Sequence, residues 1–196
     1  MPENTQLSDS DGVFLVKTAR MAVTEFLSNG KRIKLESERE KKFSFNSGVF
    51  VTLNNADGLR GCIGFPMPDK KLSHGIIDAA IAAATEDPRF SPVKINELNE
   101  IVFEITVLTP PVEITVTDPM EYLEKIKVGR DGLIIRNSFS SGLLLPQVPV
   151  EYGWNVEEFL QHTCEKAGLE KDTWKNEKVK IEKFEGIVYK EKSNGS

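Results

Sequence analysis

Cysteine is scarce in this 196-residue chain, with only Cys62 and Cys164. Two thiols do not make a disulfide scaffold, so the fold has to be held by a hydrophobic core. Histidine is equally scarce, and His74 and His162 show no ligand spacing with the two cysteines, which argues against a zinc site. No run approaches 18 apolar residues, so no segment is expected to cross a bilayer. The first twelve residues hold Glu3, Asp9 and Asp11 and no Lys or Arg, so no secretory leader is expected. A basic excess is missing too. Lys and Arg number 25 against 30 Asp and Glu, for a net charge of −5, and nucleic-acid binding usually needs a basic footprint. The small basic clusters at Lys31, Arg32, Lys34, Arg39, Lys41 and Lys42 alternate with Glu36, Glu38 and Glu40, the pattern of a solvated face. The expectation is a cytoplasmic protein with reduced thiols, no membrane association and no nucleic-acid partner.

What is present is the composition of a globular protein, 39% apolar and 28% charged. A chain of this length can form one core or two small ones. Residues 1–10 and 191–196 read as flexible tails. Leu15, Ala19, Ala22, Val23 and Phe26 recur at helical spacing up to a stop at Asn29-Gly30. Val49–Leu53 and Leu59–Phe65 read as a hairpin around a five-residue loop, Asn54–Gly58. Pro66 and Pro68 break it. A helix through Leu72, Ile76, Ala80 and Ala83 follows and stops at Asp87-Pro88, and a strand follows over Ile101–Val107.

The order then recurs. After a short strand at Val112–Val116 and a helix over Pro119–Lys127, a second hairpin is expected from Gly132–Arg136 and Leu143–Val148. Pro146 and Pro149 break it. Asn155 with Glu158 makes a capping box for a helix whose buried stripe is Val156, Phe159, Leu160, Cys164 and Ala167, with Gly168 as left-handed cap. Strands at Val179–Ile181 and Gly186–Tyr189 close the chain. Hairpin, proline break, helix and strand thus occur twice, which reads as an internal duplication. The expected fold is α+β: a two-lobed single domain with antiparallel or mixed sheets, flanking helices and a ligand cleft between the lobes.

One segment stands out chemically, Leu59-Arg60-Gly61-Cys62-Ile63-Gly64. Glycines inside a strand point to a bulge or to something approaching the backbone closely. Strand alternation puts Arg60, Cys62 and Gly64 on one face, where the Arg60 charge would favour a thiolate at Cys62. Two readings stay open: a reactive thiol, or a small buried residue that only packs. Cys164, on an apolar helix stripe, reads as core. A nucleophilic pair needs a histidine. His74 begins the next helix and is the one histidine placed near Cys62, either as a base or as an ordinary surface residue, whereas His162 lies off its helix's stripe and reads as exposed. The three-residue glycine spacing is no phosphate fingerprint, since the strand–loop–helix context and the Lys-Ser/Thr are missing.

Asp87-Pro88-Arg89-Phe90 is the second candidate. It reads either as a helix stop with a side-chain-to-backbone bond or as a second anion handle through Arg89. Gln147 is the third, because a glutamine ending an apolar strand needs a hydrogen-bond partner or a pocket. Tyr152 and Trp154 either wall the same pocket or pack. A local patch of Arg60, Arg89 and Arg130 is the only basis for a nucleic-acid reading.

Taken in order, these residues resemble the AMMECR family. Leu59–Gly64 is similar to its signature hexapeptide. Asp87–Phe90, Glu104–Pro110, Gly142–Val148, Gly153-Trp154, Phe159-Leu160 and Cys164–Leu169 agree, over a matched core of about 13–190. The resemblance implies a two-lobed α+β fold with the hexapeptide lining a cleft. It also implies a pathway shared with a Memo-like protein and a radical S-adenosylmethionine protein. This chain has no Cys-x3-Cys-x2-Cys motif, so it is not itself the radical enzyme. No cofactor is expected.

Two functional classes stand side by side. In the first the chain is an enzyme or an enzyme accessory. Cys62 is then the nucleophile, with Arg60 and Arg89 holding a small anionic ligand, Gly61 and Gly64 lining the cleft, and Asp87 and Gln147 orienting the ligand. In the second it is a non-catalytic binding or adaptor module for a small molecule or protein partner, with Cys62 structural.

Overall fold

The computed structural model describes residues 7–176 and 179–191. Most of the two tails read as flexible, 1–6 and 192–196, lies outside the described residues. The fold is α+β, with two compact units: Met1–Val107 with Ile187–Ser196, and Leu108–Gly186.

In the first unit α1 runs over Asp9–Asn29. It starts earlier than the apolar stripe alone indicates because Ser8 and Asp11 form a reciprocal capping box, so Ser8, Asp9 and Ser10 are not part of a loose tail. Leu15, Val16, Ala19, Ala22 and Val23 are its buried stripe, and Gly30 ends it at φ +71°. A short helix α2 follows at Ser37–Lys42. Strands β1 (Val49–Asn55) and β2 (Gly58–Phe65) form the expected hairpin, but only Ala56-Asp57 separate them. Helix α3 (Leu72–Thr85) is alanine- and isoleucine-rich and buried on nearly all sides, which suits it to lie flat on the hairpin. Strand β3 (Val102–Leu108) pairs antiparallel with β1, giving the order β2-β1-β3. Val49, Val51 and Leu53 alternate with Phe103, Ile105 and Val107 on the face shared with Ile76 and Ala80, and this is the core of the unit. Glu191 is fastened here. Arg20 donates to both Glu191 carboxylate oxygens and to the carbonyls of Leu98 and Ile101, and Glu191 accepts from the Phe103 amide.

The second unit opens with a two-residue strand, β4 (Val112–Glu113). The helix expected over Pro119–Lys127 is instead a tight 3₁₀ turn, Pro119–Glu121, running into a single turn, α4 (Tyr122–Lys125). Strands β5 (Asp131–Arg136) and β6 (Ser141–Leu144) form the second hairpin. It stops at Leu144 rather than Val148 because Pro146 takes helical φ and ψ and leads into α5 (Gln147–Tyr152). Helix α6 (Val156–Lys166) has the Asn155–Glu158 capping box, and Gly168 at φ +75° follows its end. Strand β7 (Lys180–Lys190) is one continuous strand where two were expected, with Gly186 inside it. The order in this unit is β6-β5-β7-β4, all antiparallel. Its core gathers Leu133, Ile135, Phe159, Leu160, Cys164 and Trp174.

Among the described residues no helix is long and apolar enough to cross a membrane, and no group of three or more His, Cys, Asp or Glu side chains is placed to hold a metal ion.

Candidate functional site

The hexapeptide is strand β2, the outer strand of the first unit's sheet. The register of the hairpin shifts between Leu53, opposite Gly61, and Asn54, opposite Leu59, so Arg60 is an extra residue in a bulge. The bulge breaks the alternation that would have set Arg60 beside Cys62. Beyond it, Gly61 faces α3 so closely that a Cβ there would stand 2.2 Å from the Ala83 carbonyl oxygen. Cys62 turns to the opposite face. Its Sγ lies 3.3 Å from the Thr52 hydroxyl directly across the hairpin, and the residue is half-buried. Gly64 also faces that way, where a Cβ would collide with the Phe50 ring at 2.3 Å.

The backbone of Cys62 on its outward edge has no neighbouring strand. Asp87 and Arg89 supply what a strand would. The Asp87 carboxylate accepts from the Cys62 amide at 2.8 Å, and the Arg89 guanidinium donates to the Cys62 carbonyl at 3.3 Å. The two side chains also bind each other. Asp87 accepts from the Arg89 amide, its Nε and its Nη2 at 3.1, 2.9 and 2.7 Å. Asp87 is 5% exposed. The Arg89 guanidinium beside it, then the amides of Cys62 and Arg89, hold its carboxyl far below the usual carboxylate range against the opposing effect of burial. The same pairing raises the Arg89 pKa. A hydrogen bond to a charged group is worth about 1.5–3 kcal/mol, so Asp87 fixes the motif strand where it would otherwise carry an unpaired edge donor. The Asp-Pro stop with a side-chain-to-backbone bond is therefore present at the Arg89 amide, and the carboxylate reaches the motif as well.

Arg60 is engaged elsewhere. Its guanidinium binds Glu97 through Nε at 2.9 Å and the Ser91 carbonyl at 2.9 Å, and it lowers the Glu97 pKa. Neither arginine is an unneutralised charge. Arg89 keeps one free edge, since Nη1 has no partner among the described residues. His74 is exposed and pairs with Glu40 at 3.3 Å, so its ring is directed to α2 and is no base for Cys62.

The remaining expected positions lie in the second unit. Gln147 is the exposed first residue of α5, so it bears no burial cost and needs no pocket to relieve one. Arg130 is bound to Asp131 at 2.6 Å and to Glu185 at 3.4 Å, so each arginine of the suspected patch is neutralised by a carboxylate. Cys164 is fully buried, and burial pushes its thiol up to about 11, as fits a core residue. His162, expected to be exposed, is half-buried under the Trp154 ring.

Sequence reasoning passed over Thr52 and Glu97. Thr52 was out of reach, since unshifted pairing from the turn sets Val51 opposite Cys62, and only the bulge at Arg60 brings Thr52 there. Glu97 sits 37 residues from Arg60 with no motif around it, and only the tertiary structure joins them.

The family model for AMMECR1 matches residues 16–189. Protein MJ0810 of Methanocaldococcus jannaschii is 52% identical over 187 residues, covering 94% of this chain and 92% of its own. Protein PYRAB00100 of Pyrococcus abyssi is 48% identical over 191 residues, covering 95% and 93%. The crystal structure of the uncharacterised protein PH0010 from Pyrococcus horikoshii superposes with a TM-score of 0.79 at 49% identity, covering 95% of this chain and 94% of that one. The match takes in the hexapeptide strand, the Asp-Pro-Arg-Phe turn that pins it and both hairpins, and on that evidence the chain belongs to the AMMECR1 family.

Proposed function

We propose that this chain is a binding module whose site is the face of the β1–β2 hairpin around Cys62, Thr52 and Arg89, with the thiol a contact rather than a nucleophile. The observation that carries this reading is the state of Asp87. Among the described residues it is the one carboxylate bonded to Cys62, yet all its capacity is spent on the Cys62 amide and on Arg89. A carboxylate held so far below its usual range is a very weak base at neutral pH, and general-base catalysis works best when the base titrates near the working pH. The only histidine of this unit is bound to Glu40. A ligand fits this face through an acceptor oxygen, carbonyl or carboxylate, set against the free Nη1 edge of Arg89.

The nucleophile reading is favoured by one observation, the half-exposed Cys62 thiol beside a hydroxyl. Alkylation in a Cys164→Ala background separates the two. The binding reading expects Cys62 to react with iodoacetamide at pH 7 no faster than glutathione does, and Arg89→Ala to slow iodoacetate more than iodoacetamide. A Cys62 rate about tenfold above glutathione, lost in a thiol-retaining variant such as Thr52→Val, would establish an activated thiol and overturn it.

A further inference from the structure

A second surface lies in the other unit, where three aromatic rings stack. Helix α5 ends at Tyr152, and Gly153 at φ +68° turns the chain so that the Trp154 amide bonds back to the Pro149 carbonyl at 2.8 Å. This turn lays the Tyr152 ring on the Trp154 ring, 4.9 Å between centroids and 16° from parallel. The Trp154 ring is also stacked with the His162 ring, at 3.9 Å and 20°. His162 is held in turn by Glu165, 2.7 Å from Nδ1. The stack is braced at Trp154, which packs on the unit's core. Its outer end is open. Tyr152 is 69% exposed although one of its faces is covered by Trp154, so the opposite face meets solvent.

Folding does not account for an aromatic ring there, since a large ring left this exposed contributes little burial. The surroundings say what it suits. Of the glutamates on α5 and α6, Glu157 is paired with Lys175, Glu165 with His162 and Lys171, and Glu158 caps α6, whereas Glu151, next to the ring in sequence, is exposed with no ion-pair partner among the described residues. An aromatic face has a negative quadrupole, and the unpaired Glu151 carboxylate beside it adds to it. Such a face repels phosphate and attracts a cation, and it favours the flat guanidinium group, which stacks as well as charges.

We infer that the open face of Tyr152, with Glu151, is a docking platform for an arginine side chain in a basic peptide segment of a partner protein. The test uses hexa-arginine and hexa-lysine peptides on the full chain, followed by calorimetry and by tryptophan emission. Trp174 is buried, so a change in emission reports Trp154. The expected result is that hexa-arginine binds about five-fold tighter than hexa-lysine, the scale of an exposed cation–π contact. Tyr152→Phe keeps this preference and Tyr152→Ala abolishes it. Glu151→Gln, which leaves the ring in place, weakens both peptides. Equal binding of the two peptides, or a preference that survives Tyr152→Ala, overturns the proposal. So does tighter binding of adenosine monophosphate than of hexa-arginine, which would mark the ring as a base-stacking surface.

Discussion

The two units solve the same packing problem at their hairpins and then diverge. In the first, Gly61 on β2 lets the end of α3 press against the strand, with the Ala83 carbonyl where a Cβ would be. In the second, Gly142 on β6 does the same for the end of α6, and a Cβ there would stand 2.3 Å from the Ala167 nitrogen. Each unit also buries an aspartate against an arginine close in sequence, Asp87 with Arg89 and Asp131 with Arg130. The aspartates are put to different use. Asp131 bonds the Lys127 amide four residues away and closes a local turn. Asp87 reaches back 25 residues to the Cys62 amide and holds the motif strand itself. Equivalent chemistry is local in one unit and joins distant segments in the other, and that difference marks the Cys62 face as the one whose geometry is held most closely.

The largest effects come from breaking what the units share. Gly61→Ala and Gly142→Ala each force a methyl into backbone and are expected to destabilise by about 3 kcal/mol or more, read as a fall in the urea midpoint. A tolerated alanine at either position would mean that its helix can retreat.

Next come the aspartates. Asp87→Ala orphans the Cys62 amide and is expected to cost about 2–3 kcal/mol and to raise the alkylation rate of Cys62. Asp131→Ala is expected to cost about 1–2 kcal/mol, because only a short turn has to readjust, and to leave Cys62 unchanged. Equal alkylation rates in the two variants would erase the distinction between them.

Acid sharpens the same contrast. Arg89, with the amides, lowers the Asp87 pKa. For Asp131, burial works in the raising direction, and Arg130 with the Lys127 amide outweighs it. Both folded-state values lie below the ordinary 3.8. The stability they contribute is therefore complete above about pH 5 and drains away as pH falls through the unfolded and then the folded values. Denaturation midpoints measured between pH 5 and pH 3 should fall steeply for the wild type. They should fall less steeply for Asp131→Asn and least for Asp87→Asn.

The smallest effect is at Arg60. Arg60→Ala removes a pair with half-exposed Glu97 and is expected to cost about 1 kcal/mol. A loss as large as that of Asp87→Ala would make the bulge, rather than the Asp87 bond, the anchor of the motif.

Much of the architecture is legible along the chain because it rests on local rules. Periodicity places α1, α3 and α6. The Asn155–Glu158 box starts α6 and glycines follow its end and that of α1. Alternation places both hairpins, and Cys164 declares itself by its stripe. Local rules also mislead where a neighbour overrides them. The strand read through Val148 stops at Leu144, because Pro146 is better placed as a helix start. The break read between Ile181 and Gly186 is absent, because β7 continues through those residues.

The sequence named residues for a candidate site, and the structure brings only some of them together. Cys62, Asp87 and Arg89 are hydrogen-bonded to one another, whereas Arg60 is turned to Glu97 by a bulge and Gln147 is an exposed helix start. What the sequence by itself determined is the class of fold, the family and the core stripes, since these follow from spacing of a few residues. What only the tertiary structure decided is which charges meet. Ion pairs and edge-strand bonds such as Cys62 to Asp87 join segments tens of residues apart, and their distances are set by packing, on which neither composition nor periodicity has any hold.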